Sequence, residues 1–366
     1  MIPVAEPSLG EEELDNVIRA VKSGWISSKG AYIEEFEKSF ARYCGAGYGV
    51  ATANGTVALH LALAALGIGK GDEVIVPTLT FVATANAVTY CNAKPVFVDS
   101  HPEYWCMDPE KIEEKITKNT KAIIPVHLYG HPCDMDWIMD IAEDRGLYVV
   151  EDCAEAHGAE YKGKKVGGFG DVACFSFYAN KIITTGEGGM CVTCDEELAE
   201  KMRLLRDHGM SRERKYWHEV VGFNYRMTNL QAAVGVAQLK KLDHFIARKR
   251  EIAKKYAEDL QELAENGLLT LHPEMSWAKC VYWMYSILVD ADVRDNLMKF
   301  LEGNGVETRP FFVPLHKMPM YAERSSSDFS VAEDLSCRGI NLPSSVSIGL
   351  VQQDYICSLV EEFFQK

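Results

Sequence analysis

Three short stretches carry residue types that do chemistry together. In ATANGTVALHLAL, at 51–63, a β-rich run breaks at Asn54-Gly55 and a helical pattern starts at once with Thr56. Successive main-chain N–H groups at a helix start bind anions, and glycine permits close approach. An ordinary strand-to-helix turn reads the same way. In VVEDCAEAHGAEY, at 149–161, an apolar strand delivers Asp152 and Glu155 at its C-terminal end, where open α/β sheets place their ligands. By itself this is equally an acidic strand cap. In FSFYANKIITTGEGGM, at 175–190, Lys181 lies in a polar turn between an apolar strand and a glycine-rich segment. Taken alone, such a lysine is usually a solvated surface residue. The sequence has no G-x-x-x-x-G-K-[ST] phosphate loop, and GEGG lacks the G-x-G-x-x-G spacing of a dinucleotide site.

Elements of regular period surround these stretches and must position them. Residues 11–24 have a helical apolar period through Leu14, Val17, Ile18 and Val21 and stop at Gly24, and Ile33 to Tyr43 repeats that pattern. From 47 onward β-rich runs alternate with helical ones: GVATA, VALHLALAAL, DEVIVP, ATANAVTYC and KPVFVD. KAIIPVHLYG, a helix around Asp136 to Asp144, LYVVED, and the pair VACFSFY and GGMCVTC follow. Strands separated by segments of helix length predict an α/β domain with a mostly parallel central sheet covered on both faces. Polar helix character runs from about Asn229 through Asn266, and an α+β pattern then begins with VYWMYSILVD. The expected division is a large α/β domain with N-terminal helices at 1–242 and a smaller C-terminal α+β domain at 243–366, joined by the long helix that crosses the boundary. YWMYSILVD at 282–290 is expected to be a core strand of the small domain.

Combined, the three stretches offer an anion cradle, a carboxylate and an amine, which is what pyridoxal 5'-phosphate (PLP) needs for its phosphate, its pyridine nitrogen and its aldehyde. Their order resembles the fold-type I PLP enzymes. The motifs ANGTVAL, PTLTFVATANAV, EDCAEAHGA, FSFYANKIITTGEGG and GFNYRMTNLQAAVG resemble the DegT/DnrJ/EryC1/StrS family of sugar aminotransferases, from about residue 3 to the end of the chain. Ala53 departs from the serine of many relatives, which is expected not to matter because the resemblance implies that the amides following it hold the phosphate. The resemblance implies that Lys181 binds the PLP aldehyde covalently and moves the substrate proton, and that Asp152 keeps the pyridine nitrogen protonated. It implies that Phe81 stacks on the ring, that Gly55, Thr56 and Ser176 hold the phosphate, and that Glu155 faces the 3-hydroxyl. Asn224 is implied to reach the partner subunit's phosphate, making a homodimer with composite sites.

Arg226 reads either as a contact to the donor carboxylate or sugar-nucleotide phosphates, or as a surface residue at a helix start. Trp25 and Ser27 in GWISSKG, and Arg309, His316 and Tyr321 in RPFFVPLHKMPMY, are the expected sugar-nucleotide contacts. His157 is expected to be structural. The implied substrates are L-glutamate, which leaves the cofactor as pyridoxamine phosphate, and a nucleotide-linked 4-keto-6-deoxy sugar aminated at C4. GDP-4-keto-6-deoxy-D-mannose is preferred, with a UDP- or dTDP-linked keto sugar as alternative. A dehydratase on the same scaffold goes with histidine in place of the lysine, and Lys181 argues against it. A PLP-binding regulatory protein without turnover would carry a separate DNA-binding segment, whereas this chain begins with enzyme-like helices.

The whole composition narrows the classes further. A chain of 366 residues exceeds a single core, and a net charge of -15 without a basic cluster disfavours nucleic acid as partner. MIPVAEPSLGEEE lacks the basic start of a signal peptide, and no apolar run approaches a membrane span, so a cytoplasmic protein is expected. The 11 cysteines are scattered through apolar segments, as reduced thiols would be. Cys191 and Cys194 have C-x-x-C spacing, but no second pair follows, and no bound metal is expected.

Overall fold

A computed structural model describes residues 1–322 and 328–365. Two amphipathic helices, α1 (Glu11–Ser23) and α2 (Ala31–Cys44), each end at a left-handed glycine, Gly24 and Gly45. The alternating region then gives β1 (Tyr48–Thr52), α3 (Gly55–Leu66), β2 (Glu73–Pro77), α4 (Ala83–Tyr90), β3 (Lys94–Val98), β4 (Thr120–Ile123), α5 (Met135–Arg145) and β5 (Tyr148–Asp152). After the short β6 (Glu160–Tyr161) and β7 (Lys164–Lys165) come β8 (Val172–Ser176), β9 (Gly189–Thr193) and α6 (Glu196–Arg206).

Seven of these strands form one sheet in the order β1-β9-β8-β5-β4-β2-β3. The pairs β2/β3, β2/β4, β4/β5 and β5/β8 are parallel, while β9 is antiparallel to both β8 and β1. The exception has a local cause. β8 returns to β9 through a loop closed at its neck by Phe177 N–H to Gly188 C=O at 2.8 Å, so no crossover helix reverses the chain. Lys181 lies in that loop. β8 and β9 are buried throughout, as strands covered on both faces must be, and α3 is apolar all round because it is packed against the sheet.

The long helix α7 (Asn229–Asp259) starts with a capping box between Thr228 and Gln231. The expected division at 242 falls inside it. Beyond it are α8 (Gln261–Glu265), β10 (Leu269–Leu271), β11 (Ala278–Lys279), β12 (Tyr285–Val289), α9 (Ala291–Gly303), β13 (Arg309–Pro310), α10 (Ser330–Arg338), β14 (Gly339–Leu342) and α11 (Leu350–Gln365). An antiparallel sheet, β10-β12-β14-β13, packs its Ile287, Val289, Ile340 and Leu342 against Leu297 and Leu301 of α9 and Ile356 and Val360 of α11. The first residues of the chain bond to this second unit: Ile2 pairs with Val306, and Ser344 N–H donates to Val4 C=O at 3.0 Å. The strand expected at 282–290 begins only at Tyr285, and Tyr282 to Met284 form its approach. Among the described residues no helix is long and apolar enough to cross a membrane.

Candidate active site

At the C-terminal edge of the large sheet lies a cavity of about 790 Å³ whose walls come from both units. One wall is the start of α3. Asn54 caps this helix by accepting from Val57 N–H at 3.0 Å, and Ala58 N–H bonds to Asn54 C=O. The amides of Gly55 and Thr56 have no acceptor within the helix, because the first turn has none to offer. Gly55 is a glycine for a steric reason: a Cβ there would stand 2.7 Å from Ser176 Cβ. The helix start therefore lies directly against the end of β8, and Gly55, Thr56 and Ser176 line one patch of the cavity.

Asp152 ends β5 and is buried. Its Oδ2 accepts from Thr84 Oγ1 at 2.8 Å and its Oδ1 from Ala154 N–H at 3.1 Å. Burial raises its pKa, and Thr84, the Ala154 amide and the charge of Lys181 only partly offset the rise. The Lys181 amine is half-buried and moves the other way: loss of water lowers its pKa, against the pull of Glu155 and Asp152. Its Nζ lies 3.9 Å from the centroid of the Trp283 ring. Glu155 is buried, accepts from Tyr129 N–H at 2.8 Å, and is pushed up to about 7 by burial against the opposing charge of Lys181. An amine and two carboxylates thus share one desolvated space, each displaced toward its neutral form.

Phe81 lines the cavity with its ring 55% exposed, 6.0 Å from Phe312. Arg309 lines it from β13 and makes a 3.4 Å ion pair with Glu307. The cavity wall thus unites Gly55, Thr56, Phe81, Asp152, Glu155, Ser176, Lys181 and Arg309.

The remaining candidates lie elsewhere on the chain. Asn224 is exposed and accepts from Arg226 Nε at 3.0 Å, and Arg226 pairs with Asp207 at 2.8 Å. Trp25 and Ser27 are exposed, and their carbonyls accept from Asn229. His316 is held between Thr78 Oγ1 at 2.7 Å and Glu333 at 3.0 Å and stacks on Phe329. Tyr321 donates to Asn86 Oδ1 at 2.7 Å. His157 is fully buried against Phe40, Phe175 and Phe177, and burial lowers its pKa to about 3, so it is a neutral ring in the core.

Sequence reasoning passed over Thr84, Tyr129, Trp283 and Asn341 of the same cavity. Thr84 stands inside the PTLTFVATANAV motif, three residues after Phe81, and that spacing across the first turn of a helix was a usable signal. Nothing local marks the others. Beside the site, His127, Glu151 and Cys153 bring ligand atoms within 4.8 Å of one another. Glu151 accepts from His127 Nε2 at 3.2 Å and from the amides of Gly167, Phe169 and Gly170, while His127 Nδ1 accepts from Cys133 N–H. These donors and acceptors brace the loop after β7.

Residues 7–361 match the model of the DegT/DnrJ/EryC1/StrS aminotransferase family. The chain is 52% identical over 364 residues to the GDP-perosamine synthase of Escherichia coli O157:H7, covering 99% of this chain and 98% of that protein. It is 48% identical over 365 residues to the GDP-perosamine synthase of Caulobacter vibrioides, covering 99% and 98%. Among solved structures it superposes on the aminotransferase TlmJ from Streptoalloteichus hindustanus with a TM-score of 0.95 at 33% identity, covering 100% of this chain and 99% of that one. Since the matched span contains the whole cavity wall from Asn54 to Asn341, the chain belongs to the DegT/DnrJ/EryC1/StrS aminotransferase family.

Proposed function

We propose that the chain is a PLP-dependent aminotransferase that moves the amino group of L-glutamate to C4 of GDP-4-keto-6-deoxy-D-mannose, giving GDP-perosamine. The observation that carries this reading is the Lys181 amine, its pKa lowered by burial, sharing a cavity with buried Asp152 and with the free amides of Gly55 and Thr56. The fit to PLP is chemical: the open helix start and Ser176 suit a phosphate, Asp152 suits the pyridine nitrogen, and Lys181 suits the aldehyde. When bound, PLP supplies an electron sink for the carbon that loses its proton. Lys181 is the base and acid that carries this proton, and burial shifts its amine toward the neutral form that can accept one. Asp152 would face the ring nitrogen and favour its positive charge, and Phe81 would pack against the ring. Glu155, its pKa raised by burial, would hold a proton toward the 3-hydroxyl side.

The donor and acceptor follow from the family resemblance and from the name borne by the relatives at 52% and 48% identity. Arg309 lines the cavity from the small unit, where it could meet the phosphates of a nucleotide sugar. Asn224 is exposed and Arg226 half-buried, both outside the cavity wall of their own chain, as residues that complete a partner's site in a homodimer would be. The deciding experiment offers L-glutamate with GDP-, UDP- and dTDP-linked 4-keto-6-deoxy sugars and identifies products by mass. A kcat/KM preference for a UDP- or dTDP-linked sugar replaces the acceptor, and no amination of any keto sugar overturns the reading.

A further inference from the structure

α7 carries Lys249 into the interior, where the residue is only 6% exposed. Its Nζ donates to Trp283 C=O at 3.0 Å and to Ser344 C=O at 2.7 Å. The need for these bonds is set by the small sheet. β12 and β14 are in register from Leu288↔Gly339 to Tyr285↔Leu342, and continuing that register sets Trp283 opposite Ser344. The residue between is Pro343, which has no N–H, so the ladder cannot continue. Buried carbonyls beyond this point need other donors. Tyr256 donates to Pro343 C=O at 2.9 Å, Tyr285 N–H is taken by Ser344 Oγ at 2.7 Å, and Lys249 serves the two remaining carbonyls.

Its neighbours on α7 are directed elsewhere, Arg248 to Ile348 C=O and Arg250 to Glu274 and Cys280 C=O. Burial lowers the Lys249 pKa to about 7, and no carboxylate among the described residues offsets this. The other end of Trp283 reaches the cavity. Its Nε1–H donates to Asn180 C=O at 2.7 Å, the residue before Lys181, and its ring faces Lys181 Nζ.

We propose that Lys249 is a positioning residue: by holding the Trp283 carbonyl across the gap left by Pro343, it fixes the indole over the Lys181 amine and sets how firmly that amine keeps its proton. The proposal rests on the reading of Lys181 as the reactive amine. An aromatic face favours the ammonium form. Asp152 and Glu155 favour it too, while burial opposes it; His157, a titratable ring beside the amine, is neutral and adds no charge.

The test follows the Lys181 amine itself, by trace acetylation with acetic anhydride across pH and peptide mass analysis, on purified chain treated with hydroxylamine to free its lysines. Lys249→Met keeps the stem and removes the donors. The Lys181 labelling midpoint should fall by roughly 0.5–1.5 pH units. Trp283→Leu should give the same fall, and the double variant no further one. An unchanged midpoint in Lys249→Met, or additive falls in the double variant, overturns the proposal. Should Lys249→Met fail to fold, Trp283→Leu still tests the contact through which Lys249 acts, and an unmoved midpoint there overturns the proposal. A chain that shows the falls but carries no aldehyde cofactor keeps the positioning role and loses the aminotransferase reading, and a chain with PLP on Lys181 and an unmoved midpoint does the reverse.

Discussion

Thr84 Oγ1 donates to Asp152 Oδ2 at 2.8 Å, tying the first turn of α4 to the last residue of β5. Both residues are buried, so the bond replaces water that the carboxylate has lost. Thr84→Val keeps the shape and removes the donor, leaving the Ala154 amide as the other partner of Asp152. Stability at neutral pH should fall by about 1–3 kcal/mol, and the Asp152 pKa should rise further. Turnover should drop while PLP still binds. Chemical unfolding and kcat measured on the same preparation check this, and a variant with unchanged stability and kcat would detach Thr84 from the site.

Gly55 touches the end of β8 so closely that Gly55→Ala must push apart the α3 start and Ser176, the two halves of the proposed phosphate cradle, because the new Cβ meets Ser176 Cβ at 2.7 Å and Cα at 3.2 Å. Alanine favours a helix over glycine by about 1 kcal/mol, so propensity alone predicts a gain. Overpacking should win. PLP affinity should weaken by about 10-fold or more, on the order of 1–3 kcal/mol. A PLP titration followed by absorbance measures it, and unchanged affinity would separate the α3 start from the phosphate.

The raised pKa of Glu155 makes stability depend on pH with a defined sign. Its ordinary value is 4.5 and its folded value about 7. Between these the folded chain keeps a proton that the unfolded chain has released, so this contribution is complete below 4.5 and is lost as pH rises to 7. The full loss is on the order of 3 kcal/mol. Glu155→Gln still accepts from the Tyr129 amide and carries no charge, so its stability should fall less over that window. Urea unfolding of the cofactor-free chains at several pH values tests this, and parallel slopes for the two proteins would assign the effect to another group.

The proposed homodimer, with sites built from both chains, would let two damaged chains help each other. Lys181 lines its own cavity, whereas Asn224 is exposed outside it. Lys181→Ala and Asn224→Ala, each inactive or weak alone, should regain a fraction of wild-type activity after dissociation and re-association as a mixture. A fully active monomer, or a mixture no better than its parents, refutes the shared arrangement.

Short-range physics made much of this protein legible before its fold. The apolar periods of α1 and α2, the Asn54-Gly55 break before α3 and the strand that ends in Asp152 are decided by residues a few positions apart, so their types and order disclose them. The positions of the amine, of the carboxylates and of the helix start after Asn54 were readable for that reason. Lys249 and Trp283 were not, because their meeting depends on a ladder interrupted at Pro343 and on a helix that crosses two units. The same holds for Asn341, which enters the cavity from the small sheet, and for His316 and Tyr321, which lie in a proline-punctuated loop yet are tied to Thr78 and Asn86. Periodicity reports which side of an element is buried. What that side is buried against depends on closing loops of many residues, and only the packed chain settles it.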